Sequence, residues 1–374
     1  MGRLVPASST MMRRLCATLR PIILSGDITT KADLTASSVR LRTSRTRYAD
    51  YNLKLCPHRT ARARWNYVGP YMTPMRKTTG LAEHKSARWA AYWKHLRVPF
   101  QLSLSPLFLW GFLLANGRPS ARLLLGYVAF HLFLYTGITA FNSAYDRDEG
   151  PVGGMYAPPP PPSRLLEVSL GIQIIGAILC LFVNFAFFLI YLTIALLAAG
   201  YSHPRIRWKA HPIASVLTVF IGQGALGFLA GWSVTSPIHA VMTARGIGGM
   251  LSAAFTTLGL YPLTQIYQLH EDATRGDRTL AIALGPERAL LFSFGCLMIA
   301  GLTAAGVMVL TGTPMDAVLV STGYLGMLLE LARFIRKFRA GTTQVSAFRF
   351  SLRLNYVAAA GFLLFMAIHF ANLH

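Results

Sequence analysis

Six of the ten acidic side chains beyond residue 97 fall in two short clusters: Asp146, Asp148 and Glu149 in one, Glu271, Asp272 and Asp277 in the other. Carboxylates this close repel one another unless a cation joins them. Mg2+ takes one or two carboxylates and fills its remaining positions with water and phosphate oxygens, so a pair of such clusters suits a metal-bound phosphate group. The competing explanation is pairing with arginines of the same loops. One triplet alone favours pairing. Two triplets at equivalent depth favour a shared site. A third segment, Tyr201-Ser-His203-Pro204-Arg-Ile-Arg207-Trp208-Lys209-Ala-His211-Pro212, sets three cations between prolines. It anchors its side of the membrane, and it also has the charge to hold diphosphate oxygens whose other face is bound by metal.

The elements that position these groups are membrane spans. The chain is 53% hydrophobic and 13% charged, with a mean hydropathy of +0.43. Soluble domains carry about twice that charged fraction. Apolar runs near the ~20 residues that cross a bilayer core as a helix recur from Pro99 onward. They predict nine spans at 99–116, 123–141, 165–182, 185–200, 213–232, 247–267, 289–310, 315–334 and 356–371. The third and fourth divide one long run at a turn over Val183-Asn184. The expected fold is therefore all-α and polytopic, with about nine transmembrane helices.

Charge fixes the expected orientation. Loops after the even-numbered spans hold 14 Lys and Arg, against three (Arg118, Arg122 and Arg245) after the odd-numbered ones. The positive-inside rule places the N-terminus and the even loops on the cytoplasmic side. Both acidic clusters follow even spans, so they share a face. A bacterial cytoplasmic membrane is the expected location, with an organelle inner membrane as the alternative. The net charge of +22 does not indicate a nucleic-acid partner, because residues 1–97 alone supply +15 of it. Residues 1–74 read as a basic extension, expected to be disordered, that is either a transit segment or the product of a mis-assigned start. The second reading is preferred, since nothing after Met75 needs what precedes it. Residues 75–97, with Trp89, Tyr92, Trp93, Lys94 and Arg97, read as an interfacial segment ahead of the 98–374 membrane domain.

At these clusters the sequence resembles the UbiA superfamily of intramembrane prenyltransferases. The family carries N-D-x-x-D-x-x-x-D after its second helix and D-x-x-x-D ahead of G-x-x-T-L after its sixth. A Y-[ST]-x-P-x-x-R-x-K loop lies between its fourth and fifth helices. Here these read Asn142-Ser-Ala-Tyr-Asp146-Arg-Asp148-Glu149-Gly150, then Gln268-Leu-His-Glu271-Asp272 with Gly276-Asp-Arg-Thr279-Leu280, and Tyr201-Ser-His-Pro204-Arg-Ile-Arg207-Trp-Lys209. The basic entry to the first helix, Arg97-Val-Pro99-Phe100, also fits. Asp146 and Asp272 keep the family register, whereas Ser143, Gly150 and Gln268 stand where three aspartates belong.

The resemblance implies a nine-helix bundle that moves a prenyl group from a prenyl diphosphate to an aromatic or other lipophilic acceptor, chemistry used in quinone biosynthesis. It implies catalytic roles for Asp146 and Asp272. It implies Mg2+ held among Asp146, Asp148, Glu149, Gln268, Glu271 and Asp272, and diphosphate contacts from Asn142, Arg97, Tyr201, Arg207, Lys209 and Arg278. The three replaced aspartates leave room for a rival, a non-catalytic relative that binds a lipid, quinone or partner protein. An ion-coupled transporter would need ionisable residues near the midplane, and here the acids gather at one face.

Other residues read as structural. His131 suits a hydrogen-bonded neutral imidazole within span two, and Glu330 suits a pair with Arg333 at i+3. Gly222, Gly224 and Gly227 suit close helix packing. Cys180 and Cys296 suit burial as small apolar side chains.

Overall fold

The computed structural model describes residues 30–35, 38–43, 81–311 and 314–371. Two strands, β1 (Thr30–Thr35) and β2 (Ser38–Thr43), pair antiparallel from Thr30 opposite Thr43 to Thr35 opposite Ser38. They belong to a unit separate from the one that holds the helices. The remainder of the 1–74 extension lies outside the described residues, as does the question of its disorder.

Helix α1 (Leu81–Leu96) leaves Trp89 and Trp93 exposed. Arg97, in the left-handed region at φ 50°, turns the chain into the short α2 (Val98–Leu102) and then α3 (Ser105–Leu114). The first expected span is thus broken. Pro106 lies in the first turn of α3, lacks an N–H and disfavours helix in the residue before it. The Ser103 and Ser105 hydroxyls donate to Phe100 O and Leu102 O at 2.6 Å, the second being the carbonyl that Pro106, without an N–H, leaves unpaired.

Helix α4 (Ala121–Asp146) widens into a π-helical segment over Ala129–Tyr135. The expected division between spans three and four is present. Asn184 N-caps α6 (Phe185–Ser202) after α5 (Leu165–Leu181), with Oδ1 accepting from Phe187 N at 2.8 Å. Next come α7 (Pro212–Ser233), π-helical over Val219–Ala225, α8 (Ala244–Ile266), α9 (Leu269–Arg275) and α10 (Leu280–Leu284). The chain closes with α11 (Pro286–Leu310), α12 (Pro314–Arg339) and α13 (Gln344–Ala371). Among the described residues six helices (α4, α6, α7, α11, α12 and α13) are long and apolar enough to cross a membrane, and α3 and α5 are shorter apolar helices. The protein is an integral membrane protein of all-α architecture.

Small residues bring the central helices together. A Cβ at Gly231 of α7 would sit 1.7 Å from Phe108 O of α3, and one at Gly224 would sit 2.4 Å from the Ala254 Cα of α8. Backbone contact this close needs glycine. Gly222 and Gly227 meet only side-chain atoms, at 3.2 and 3.4 Å. Phe228 and Trp232 of α7 pack with Leu107, Trp110 and Leu114 of α3 in one core cluster. Cys180 and Cys296 are buried and free. His131 is buried with Nδ1 3.2 Å from Gln101 O, and Glu330 meets Arg333 and also Arg353, each at 2.6 Å.

Candidate active site

The end of α4, the α6–α7 loop and the α8–α10 region converge on one face of the helical unit. Asp146, the last residue of α4, is buried. Asn142, one turn earlier, donates from Nδ2 to Asp146 Oδ2 at 2.6 Å and to Ser202 Oγ at 3.1 Å. The Lys209 ammonium pairs with the same carboxylate oxygen, and Arg207 Nη1 lies 3.4 Å from Oδ1. Arg207 also grips Asp277 with two parallel bonds, Nε to Oδ1 at 2.7 Å and Nη2 to Oδ2 at 2.8 Å. Those bonds hold the guanidinium above its ordinary pKa.

A second network ties the loop after α4 to α9. Arg275 donates to Asp148 Oδ1 at 2.7 Å and to Glu271 Oε1 at 2.6 Å. The Glu271 carboxylate also accepts from the backbone N–H groups of Glu149 (2.9 Å) and Gly150 (3.3 Å). A Cβ at Gly150, one of the replaced aspartate positions, would fall 2.9 Å from Glu271 Oε2. The neighbouring helix has therefore moved a carboxylate into the space left there.

Asp272 lies between the two networks. It is 7% exposed and has no ion pair among the described residues. Burial pushes its carboxyl up to about 7, against the pull of Lys209 and Arg275 and with the repulsion of Asp277 and Asp148. Arg97 is buried too. Its Nη2 donates to Ser143 Oγ at 2.6 Å, while its Nε has no partner. Burial lowers the guanidinium's pKa, with Asp148 the leading opposing charge. Ser143, at a second replaced position, thus accepts from a cation rather than repelling a neighbour. Tyr201 and Tyr261 share a hydroxyl contact at 3.0 Å.

Below this charged end opens a cavity of about 740 Å3. Arg97, Tyr201, Tyr267 and Gln268 line it near the charges, and Leu107, Trp110 and Phe365 line its far part. The structure therefore brings together Asn142, Asp146, Arg207 and Lys209, and separately Asp148 and Glu271, with Asp272, Gln268, Tyr201 and Arg97 around them. It leaves two expected residues outside. The Glu149 side chain is exposed, and so is that of Arg278, whose backbone N–H instead donates to Ala210 O at 3.0 Å and joins the two loops. Sequence reasoning passed over Arg275 and took Asp277 only as a member of the second acidic cluster, not as a partner of Arg207. The i, i+4 spacing from Glu271 to Arg275 signals one of them, but nothing local signals the Arg207–Asp277 fork.

The sequence profile of the UbiA prenyltransferase family matches residues 104–356, more than half of the chain. The chain belongs to this family. Several UbiA structures share its fold. A UbiA homolog from Archaeoglobus fulgidus bound to GPP and Mg2+ superposes with a TM-score of 0.55 at 21% identity, over 74% of this chain and 99% of that one. The apo UbiA homolog from Aeropyrum pernix K1 gives 0.53 at 17%, over 71% and 98%. A digeranylgeranylglyceryl phosphate synthase gives 0.52 at 16%, over 74% and 98%. No curated protein matches the sequence.

Measured against a UbiA metal site, the residues here offer few free donors. Among the described residues no group of three His, Cys, Asp or Glu is poised for a metal, since Asp146, Asp148 and Glu271 already face cations. Asp272 is different, a buried carboxylate without an ion pair. Such a set fits a largely hydrated Mg2+ that arrives with phosphate oxygens, rather than a preassembled protein cage. Asp272 and Asp146 would hold it, with Gln268 contributing a carbonyl oxygen.

Proposed function

We propose that this protein transfers a prenyl group from a prenyl diphosphate to a lipophilic or aromatic acceptor inside the membrane. One observation carries the reading: buried Arg97 lines one end of a large apolar cavity and bonds Ser143 on the same helix end as Asp146, which Arg207 and Lys209 pair with. A diphosphate is the ligand that matches both halves, with its oxygens on the cations and its tail in the cavity. A solved relative is bound to GPP and Mg2+, which supports a prenyl diphosphate as the ligand.

In this reading Lys209 and Arg207 exchange their contacts with Asp146 for phosphate oxygens, while Asp277 keeps the Arg207 fork in place. Arg97, fixed against Ser143 and lining the cavity, adds positive charge to the same end. The Mg2+ supplies positive charge that stabilises the departing diphosphate. Charge-assisted donors already in position favour the anion as the carbon–oxygen bond breaks. The apolar walls exclude water, and Tyr267 and Phe100 are among the aromatic residues that line the cavity near its charged end. By the charge alternation of the loops, the site faces the cytoplasmic side of a bacterial membrane, or the matrix or stromal side of an organelle's inner membrane.

The test is binding of geranyl diphosphate to the full chain in lipid nanodiscs, followed by thermal shift with Mg2+ and with a chelator. Stabilisation that is stronger with Mg2+ is expected. Absence of any binding would remove the enzyme reading in favour of the non-catalytic one, for which the three replaced aspartates are the argument.

A further inference from the structure

Positive charge is concentrated where α12 ends and α13 begins. Between Glu330 and Arg353 the sequence carries six cations and one acid. Arg339 pairs with Glu287 of α11. Glu330 holds Arg333 of its own helix and Arg353 of α13, each at 2.6 Å. Arg336, Lys337 and Arg349 are exposed and have no ion pair among the described residues. Five cations thus share one carboxylate. The patch lies at the same end of the bundle as Asp146 and Asp272, since Gln344 at the start of α13 donates to Tyr267 O at 2.7 Å.

Below the cations the same two helix faces are apolar and uncovered. On α13, Arg349, Arg353, Val357 and Leu364 follow one another at helical spacing, and the last two are 62% and 63% exposed. On α12, Lys337, Arg333 and Glu330 lead down to Gly326 and Gly323 on one face. Gly323, Gly326, Glu330, Val357 and Gly361 also line the large cavity. The three glycines are exposed, and a Cβ on any of them would meet nothing within 4 Å. The cavity therefore reaches the surface of the bundle along this face. Arg353 and Leu364 are 11 residues apart, a drop of roughly 16 Å at 1.5 Å per residue. Half of the ~30 Å hydrocarbon core, the depth of one leaflet, is about the same length.

We propose that an anionic phospholipid of this leaflet binds across α12 and α13. Its phosphate lies on Lys337, Arg349 and the two arginines that share Glu330. One acyl chain follows the apolar stripe and forms the missing side wall of the cavity. The inference stands apart from the prenyl-transfer reading. A cluster of about four to eight Lys and Arg beside a membrane span attracts anionic headgroups, and the arginine fork matches phosphate oxygens. An acidic soluble protein would meet the cations and leave the stripe uncovered. A zwitterionic lipid would cover the stripe and leave the excess positive charge unmatched. An anionic lipid matches both.

The test is native mass spectrometry of the full chain released from micelles, titrated with phosphatidylglycerol or with phosphatidylcholine of the same acyl chains. Phosphatidylglycerol should bind at least about tenfold tighter at the first site. The double variant Lys337→Gln with Arg349→Gln should reduce that ratio to below about threefold. Should it lose its melting transition, Lys337→Gln alone decides and should lower the ratio in the same direction. Arg164→Gln with Arg205→Gln removes the same charge from exposed positions elsewhere and should leave the ratio as it is. A phosphatidylglycerol with a photoreactive acyl chain should crosslink to residues 323–330 or 357–364, and less so in the double variant. The proposal is overturned if the two lipids bind alike, or if the double variant leaves their ratio unchanged. It is equally overturned if the control pair lowers the ratio as much, or if the crosslinks fall elsewhere.

Discussion

Asp146 and Asp272 hold equivalent register positions and have opposite surroundings. Asp146 is neutralised by Lys209 and Arg207, whereas Asp272 is buried without an ion pair. Substitution by asparagine keeps the size of either side chain and removes its charge. Turnover of a prenyl diphosphate should fall about a hundredfold in both Asp146→Asn and Asp272→Asn, the loss typical of breaking a transition-state charge clamp. Their stabilities should part. Asp272→Asn removes a carboxylate whose burial costs free energy, so without metal its melting midpoint should match or exceed the parent's. Asp146→Asn leaves Lys209 less well paired and should lower it. Equal turnover in both variants and the parent would remove these residues from the chemistry. Arg207→Lys tests the fork to Asp277. A lysine cannot reproduce two parallel bonds, so diphosphate affinity should drop about tenfold, or ~1.4 kcal/mol, as read by calorimetry.

At the scale of elements, close backbone approach holds the bundle together. Gly224→Ala would push a methyl group into the Ala254 backbone of α8, a clash that no rotamer relieves. A destabilisation of about 1–3 kcal/mol is expected, seen as a lower melting midpoint in nanodiscs. Gly295→Ala on α11 is the control, because a Cβ there meets nothing within 4 Å. The loops carry a separate prediction. Single cysteines at Ser163, Ala210 and Gly341 in an otherwise cysteine-free protein should react only from the cytoplasmic side. Labelling of any of them by an impermeant reagent outside intact cells would reverse the assigned orientation.

For the whole molecule, the first described helix of the helical unit begins at Leu81, after the basic extension, and the family match starts later still, at residue 104. A protein starting at Met75 should insert, fold and bind geranyl diphosphate as the full chain does. A truncated protein that fails to fold would show that residues 1–74 belong to the working structure.

The sequence by itself determined the membrane class and the helical character of the apolar runs. Apolar runs of bilayer length leave the backbone one way to satisfy its hydrogen bonds, and that way is helical. The turn at Asn184 was legible because an N-cap is a local device, and the i+3 pair of Glu330 with Arg333 for the same reason. The break in the first span was missed, although Pro106 marks it, because hydropathy averages over a turn. Tertiary structure alone decided which charges meet. Arg207 reaches Asp277 across 70 residues and Arg275 reaches Asp148 across 127. Only the folded chain shows Ser143 under Arg97, the Glu271 carboxylate beside Gly150, and Asp272 left without an ion pair. Those outcomes depend on helix packing at Gly224 and Gly231, and side-chain spacing along one helix cannot encode the distance to another.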